Sequence, residues 1–183
     1  MIFTLSGVTG VGKSYYKNLL IQELGLQNMV IYTTRKKRVG EIDGIDKHFI
    51  TPAQMQQKKQ DGTIFAVYSM LGENYGYGSS YLKQGYNSVT EFHYEWILDL
   101  KEKVKDICAI YLVPTNIERA QEELRKRNLP EEVYQARLNE MQEQNKIMQQ
   151  DETMRNAFDI ILENDYTKVS EARIISTVKR MIE

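Results

Sequence analysis

Gly7-Val8-Thr9-Gly10-Val11-Gly12-Lys13-Ser14 follows directly on the apolar run Met1-Ile2-Phe3-Thr4-Leu5. From Ser14 the spacing turns helical, with Leu19, Leu20 and Leu24 toward a core and Gly25 as the stop. A G-x-x-x-x-G-K-S segment between a strand and a helix is a phosphate-binding loop. Its glycines let successive backbone N–H groups curve around a phosphate, and the start of the following helix adds a partial positive end. All eight residues from Gly7 to Ser14 are therefore candidate ATP phosphate ligands. Lys13 has the reach for the β and γ phosphates, and the Ser14 hydroxyl is placed to ligate Mg²⁺.

Outward from this loop, further strand candidates lie at 29–32, 63–69, 88–92, 107–113 and 158–162, separated by helical stretches. That alternation predicts an α/β fold of the P-loop NTPase type, with a mostly parallel central sheet flanked by helices. Thr51-Pro52-Ala53-Gln54 has the cap, proline and glutamine spacing of a helix start, and Thr115-Asn116-Ile117-Glu118 repeats the threonine-to-acid spacing. A helix over about 131–150 carries Val133, Leu138, Met141 and Met148 as its packing residues. The stretch at about 32–81, crowded with Arg, Lys, Gly and Tyr, breaks the βα rhythm and reads as a small lobe inserted into one domain spanning 1–183. A polar turn at 125–130 begins a second excursion, to about residue 140.

Composition narrows the chemistry. With 24 Lys plus Arg against 25 Asp plus Glu the formal charge is −1, so no bulk positive field favours a polynucleotide or an anionic membrane. Any anion must be met by local donors. The single Cys108 makes neither an internal disulfide nor a thiolate zinc site, and it reads as a buried thiol in a strand. No stretch approaches the 18 apolar residues of a membrane helix, and no basic leader precedes the first strand, so a cytoplasmic chain is expected. His48 and His93 have no paired Ser or Cys nearby in sequence and read as structural.

The loop fixes a phosphate donor and leaves an ATPase, a GTPase switch and a small-molecule kinase open. The inserted lobe separates them. It contains Thr33-Thr34-Arg35-Lys36-Lys37-Arg38-Val39-Gly40-Glu41, in which Arg35 and Arg38 offer planar forks to a second phosphate, with Tyr75, Tyr77, Ser79 and Tyr81 supplying hydroxyls and aromatic faces.

With these segments, the Arg127 turn leading to Glu131, Glu132 and Arg137, and Asn164-Asp165, the chain resembles the guanylate kinase family over essentially its whole length. The resemblance implies phosphoryl transfer from ATP to GMP with Mg²⁺, giving ADP and GDP. It implies that Arg35, Arg38 and Tyr77 hold the acceptor phosphate, that Ser79 contacts guanine and that Glu41 sits near the acceptor. Lys13, Arg127 and Arg137 become the catalytic cations, the arginines carried on a lid at about 125–140, and Asn164 lines the adenine pocket. The partners implied are ATP and GMP.

Departures from the family pattern fall in the acceptor pocket. Ile31 stands for a serine, Lys47 for a tyrosine, and the carboxylate that reads guanine falls near Ala66. Ser88-Val89-Thr90-Glu91-Phe92-His93 replaces a strand ending in two aspartates, leaving Glu91 as an acidic substitute. A kinase for another phosphorylated acceptor, and a weakly active nucleotide-binding or interaction protein, are the alternative readings.

Overall fold

Every residue of the first strand, β1 (Ile2–Gly7), is buried, which sets it inside a sheet covered on both faces. The computed structural model describes residues 1–70, 72–83 and 85–183. After β1 come α1 (Lys13–Leu24), β2 (Gln27–Asn28), β3 (Tyr32–Thr33), β4 (His48–Phe49), α2 (Pro52–Gln60), β5 (Ile64–Met70) and β6 (Glu73–Gly78). Then follow β7 (Ser88–Glu91), α3 (Ile97–Lys103), β8 (Ile107–Pro114), α4 (Ile117–Arg125), α5 (Glu131–Gln150), α6 (Glu152–Asn156), β9 (Ile160–Asn164) and α7 (Lys168–Ile182).

The central sheet has the order β2-β7-β1-β8-β9, with parallel pairing throughout, as the βα alternation predicts. The two-residue period of a strand assigns its faces. Phe3 and Leu5 join Cys108, Ile110 and Leu112 in a cluster closed by Leu20 of α1 and Ile174 and Val178 of α7. Ile2, Ala109 and Tyr111 face the other way, toward Phe92, Ile97, Leu100 and Met148.

A second sheet of order β4-β3-β6-β5 is built wholly from residues between 32 and 78, with β6 antiparallel to both neighbours. Its inner face brings Ala66, Tyr68 and Tyr77 into the same apolar cluster as Phe92, Tyr94 and Ile97 of the central body. Tyr68 stacks on Trp96 with ring centroids 4.9 Å apart and planes 8° apart. The two sheets are thereby joined by an aromatic wall.

Several local expectations hold. Gly25 caps α1 in the left-handed region, and Thr51 and Gln54 form a reciprocal capping box on α2. Others shift. The single strand expected at 29–32 divides into β2 and β3, because the chain leaves one sheet and enters the other with Met29 and Ile31 buried between them. The last strand begins two residues later than expected, since Asp159 is occupied in bonds to the backbone of Ala109. Asn116, not Thr115, caps α4, its Oδ1 accepting from the N–H groups of Glu118 and Arg119. On α5 Val133 is exposed, while Met141, Gln144 and Met148 form the buried stripe. Strand β6 was not expected at all, because its glycines mask the pattern. A Cβ at Gly76 would lie 2.7 Å from Met55 Sδ and 2.8 Å from Ile64 Cδ1, so glycine lets those side chains pack closely on the strand.

Candidate active site

The donor loop is fixed by backbone geometry. Gly10 has φ +84°, and a Cβ there would stand 2.1 Å from the carbonyl oxygen of Ala120. Val8 and Val11 point inward, 1% and 0% exposed, so what they offer a ligand is backbone alone. The Val11 N–H donates to Val8 O at 3.3 Å, which tightens the turn. Gly12 is the N-cap of α1, with φ 92°, so the loop opens straight into the positive end of a helix. The Lys13 ammonium donates to the carbonyls of Gly7 and Val8 at 2.7 and 2.9 Å, folded across the space the loop encloses. Desolvation brings its pKa down to about 8, and the nearby charges of Glu91, Arg127, Glu140 and Arg137 act on it in turn.

Asn164, expected to line an adenine pocket, is turned inward and 2% exposed. Its Nδ2 donates to Val11 O at 2.9 Å, and its Oδ1 accepts from Tyr16 Oη at 2.5 Å and from the Tyr166 N–H at 2.8 Å. It ties β9 and α1 to the back of the phosphate loop, with its amide committed to protein partners.

In the lobe, Arg35 makes a bidentate pair with Glu41, at 2.6 and 2.9 Å, and Glu41 also accepts from the Arg38 N–H at 2.7 Å. The Arg35 hydrogen bonds, aided by that backbone donor and opposed by partial burial, hold the Glu41 carboxyl down at about 2. Glu41 thus clamps the turn between the two arginines. The Arg38 side chain has the Arg35–Glu41 pair, Tyr75 and Arg137 as its charged and ionisable neighbours, and burial lowers its pKa.

Two residues expected at the acceptor have protein neighbours of their own. Tyr77 is 2% exposed within the aromatic wall, 5.0 Å from Phe92 and 5.8 Å from Tyr68 between centroids, and burial raises its pKa strongly. Tyr75, two residues earlier on the same face of β6, is the tyrosine beside both Arg35 and Arg38. Ser79 donates to Gly62 O at 2.5 Å. Four residues of extended chain, roughly 13 Å, separate it from Tyr75. Tyr75-Gly76 and Tyr77-Gly78 repeat at the strand period, and the pairing of Tyr75 with Thr33 sets Tyr75 on the arginine side of the lobe.

The turn after α4 carries Arg127, exposed, and reverses through Asn128 in the left-handed region, φ 48°. Arg137, partly buried on α5, is held by Glu140 at 2.6 Å. Glu140 also lies 3.6 Å from His93 Nε2 at the end of the central sheet, and these two partners, His93 first, keep its carboxyl down at about 2 against the cost of burial. Sequence reading took His93 as structural and did not single out Glu140. Their only sequence signal is an acid three residues after Arg137 on one helix. Among the described residues no three His, Cys, Asp or Glu gather as a metal cluster. With Ser14 exposed at the loop's end, these residues fit a Mg²⁺ that arrives with a nucleotide and takes most of its ligands from phosphate and water.

The family model described as guanylate kinase matches residues 2–183. The guanylate kinase of Oceanobacillus iheyensis is 29% identical over 184 residues, covering 98% of this chain and 86% of that protein. That of Lactococcus lactis subsp. lactis is 28% identical over 189 residues, covering 100% and 87%. Among solved structures, guanylate kinase from Anaplasma phagocytophilum superposes with a TM-score of 0.73 at 18% identity, covering 99% of this chain and 85% of that one, which shows a shared fold. The phosphate loop, the two-arginine lobe and the match along nearly the whole chain place this protein in the guanylate kinase family.

Proposed function

We propose that the chain transfers the γ-phosphoryl group of ATP to GMP in the cytoplasm, with Mg²⁺ as the companion of ATP. One observation carries the reading: the charges of cations from three separate segments act on one another. Lys13 of the loop has Arg127 and Arg137 among its neighbours, and Arg137 is in turn a neighbour of Arg38 in the lobe. Donor and acceptor phosphates bound at Lys13 and Arg38 would meet under the two arginines of the lid.

In this reading no protein nucleophile takes part. Backbone N–H groups of Gly7 to Ser14 hold the donor phosphates, and Lys13, Arg127 and Arg137 meet charge spread over the transferring oxygens. Ser14 would hold the Mg²⁺ that accompanies ATP, and that ion would supply neutralisation of the donor charge. Arg38 and Tyr75 take the acceptor phosphate, while Glu41 orients Arg35 beside them. Closure of lobe and lid excludes water from the transfer. Direct measurement of GDP formed from GMP and ATP/Mg²⁺ tests the assignment; ATP loss without GDP would refute it. A different phosphorylated acceptor is the second reading, favoured by Ala66, which is 2% exposed and puts a methyl group in the aromatic wall where a base-reading carboxylate was sought.

A further inference from the structure

The proposed transfer leaves His93 and Glu140 unused, yet together they join the lid helix to the strand that ends beside the phosphate loop. The backbone ahead of His93 is fixed on β1. The Phe92 N–H donates to Leu5 O at 3.0 Å and Ser6 Oγ donates to Phe92 O at 2.9 Å, one residue before the loop opens at Gly7. Strand alternation then gives the directions. Phe92 turns into the aromatic wall, while Glu91 takes the opposite side, 3.8 Å from Lys17 Nζ and within the charge environment of Lys13. His93 continues the Glu91 side, its ring packed against those of Tyr94 and Trp96 with centroids 4.9 and 5.0 Å away.

Each nitrogen of that ring faces a carboxylate: Nε2 lies 3.6 Å from Glu140 Oε1, and Nδ1 lies 3.6 Å from Glu95 Oε2. The two carboxylates differ in what they reach. Glu95 is exposed, and its other contact is the Tyr94 hydroxyl, which donates to it at 3.2 Å within the same turn. Glu140 gives its second oxygen, Oε2, to Arg137 Nη1 at 2.6 Å. A pair three residues apart on one helix fixes the arginine with respect to that helix alone. The approach of Glu140 to His93 adds a reference to the central body. It is made where the buried stripe of α5 begins, since Met141 follows directly, and Arg137 stands about one turn nearer the start of the helix. Lys13 has both Glu140 and Arg137 among its charged neighbours, so the linked groups border the donor loop.

We propose that His93 is a positioning residue for the phosphoryl transfer: by holding one oxygen of Glu140, it sets the place of Arg137, bound to the other oxygen, relative to the phosphate loop. The proposal rests on the reading of Arg137 as a cation of that transfer. His93 touches neither nucleotide, so its loss belongs in kcat and not in nucleotide binding.

The test measures kcat, the KM values for ATP and GMP, and thermal melts for the parent, His93→Ala, His93→Gln, His93→Asn, Glu140→Gln, Glu95→Gln and the double variant His93→Ala/Glu140→Gln. His93→Ala and Glu140→Gln should each lower kcat about 10- to 100-fold, the scale of misplacing a group at the reacting centre, with both KM values nearly unchanged. The double variant should fall no further than the worse single one, because both substitutions break one link. A glutamine amide stands where Nε2 stands and an asparagine amide where Nδ1 does, so His93→Gln should keep most of the parent kcat and His93→Asn should not. Glu95→Gln should match the parent. A purely structural histidine would instead lower Tm in step with kcat and show no difference between glutamine and asparagine. Parent-like kcat in folded His93→Ala, losses that multiply in the double variant, or equal losses in Glu95→Gln and Glu140→Gln overturn the proposal. If His93→Ala fails to fold, the glutamine–asparagine difference and Glu140→Gln decide it. A parent that makes no GDP refutes the kinase reading and this role with it, whereas a parent that makes GDP beside unaffected variants overturns this role alone.

Discussion

The phosphate loop and the acceptor lobe are held in contrasting ways. The loop is shaped by backbone: three glycines at positive φ, two buried valines, and an asparagine amide bonded to its rear. The lobe is shaped by side chains: the Arg35–Glu41 pair, the Thr34–Glu73 hydrogen bond at 2.8 Å, and an aromatic wall against the central body. A backbone device admits little variation, since a Cβ in the wrong place meets a carbonyl. A side-chain device can be rebuilt by exchanging partners, and two of the departures from the family pattern, Lys47 and Ala66, lie there.

The sharpest way to break this contrast is to remove one group from the loop. Lys13→Ala should lower kcat for GDP formation about 100- to 1,000-fold, the scale of losing one preorganised charge contact, with the circular dichroism spectrum retained. Parent-like turnover in the folded variant would take the loop out of the chemistry.

Next in size is a pair of glycine substitutions. Gly10→Ala drives a methyl group into the Ala120 carbonyl and should cost about 1–3 kcal/mol on top of the left-handed backbone cost of about 1–2 kcal/mol, a Tm decrease of roughly 2–4 °C for each kcal/mol. Gly40 in the lobe has φ +86° but open space around it, so Gly40→Ala should show only the left-handed backbone cost of about 1–2 kcal/mol and leave the KM for ATP unchanged. Equal melts accompanied by equal loss of ATP binding would erase the distinction between the two regions.

The acceptor base comes third. Without a carboxylate at position 66, the preference for GMP over AMP should be smaller than a charged reader gives, by about 10- to 150-fold in kcat/KM. A panel of GMP, dGMP, AMP, UMP and CMP scored by diphosphate formed measures it. High GMP selectivity would instead point to the hydroxyl of Tyr77, whose ring is buried with Glu91 among its neighbours.

The smallest effect is acid stability. The carboxyls of Glu41 and Glu140 both sit at about 2, below the ordinary 4.5, so their pairs stabilise the fold above pH ~4.5 and lose that contribution as the pH falls toward 2. Glu41→Gln should flatten the decline of Tm between pH 5 and 2 by no more than about 2–4 °C, because a pair near the surface contributes at most about 1 kcal/mol. A slope identical to the parent's would show that the Arg35 clamp adds nothing to stability.

How far the sequence could be read follows the same division. Lys13, Gly25, the Thr51 capping box and the parallel sheet depend on interactions within a few residues or on hydrophobic period, and these are written locally. Tyr77 and Ser79 were assigned by resemblance at Tyr77-Gly78-Ser79, and a tyrosine–glycine pair also stands at Tyr75-Gly76, so local pattern had no means of choosing between the copies. Asn164 was expected at the adenine, and its bonds to Val11 and Tyr16 could not be read from the sequence. Its neighbours Val11 and Tyr16 are more than 140 residues away in sequence, as the separations of 153 and 148 show.

The sequence alone determined that a phosphate loop feeds a helix, that a mostly parallel sheet surrounds it and that two arginines stand ready in an inserted lobe, because each depends on short-range geometry. Only the tertiary structure decided which tyrosine stands nearer those arginines and that Arg35 is already paired. Those outcomes depend on strand register and on charges brought together from opposite walls, and neither is encoded in the spacing of neighbouring residues.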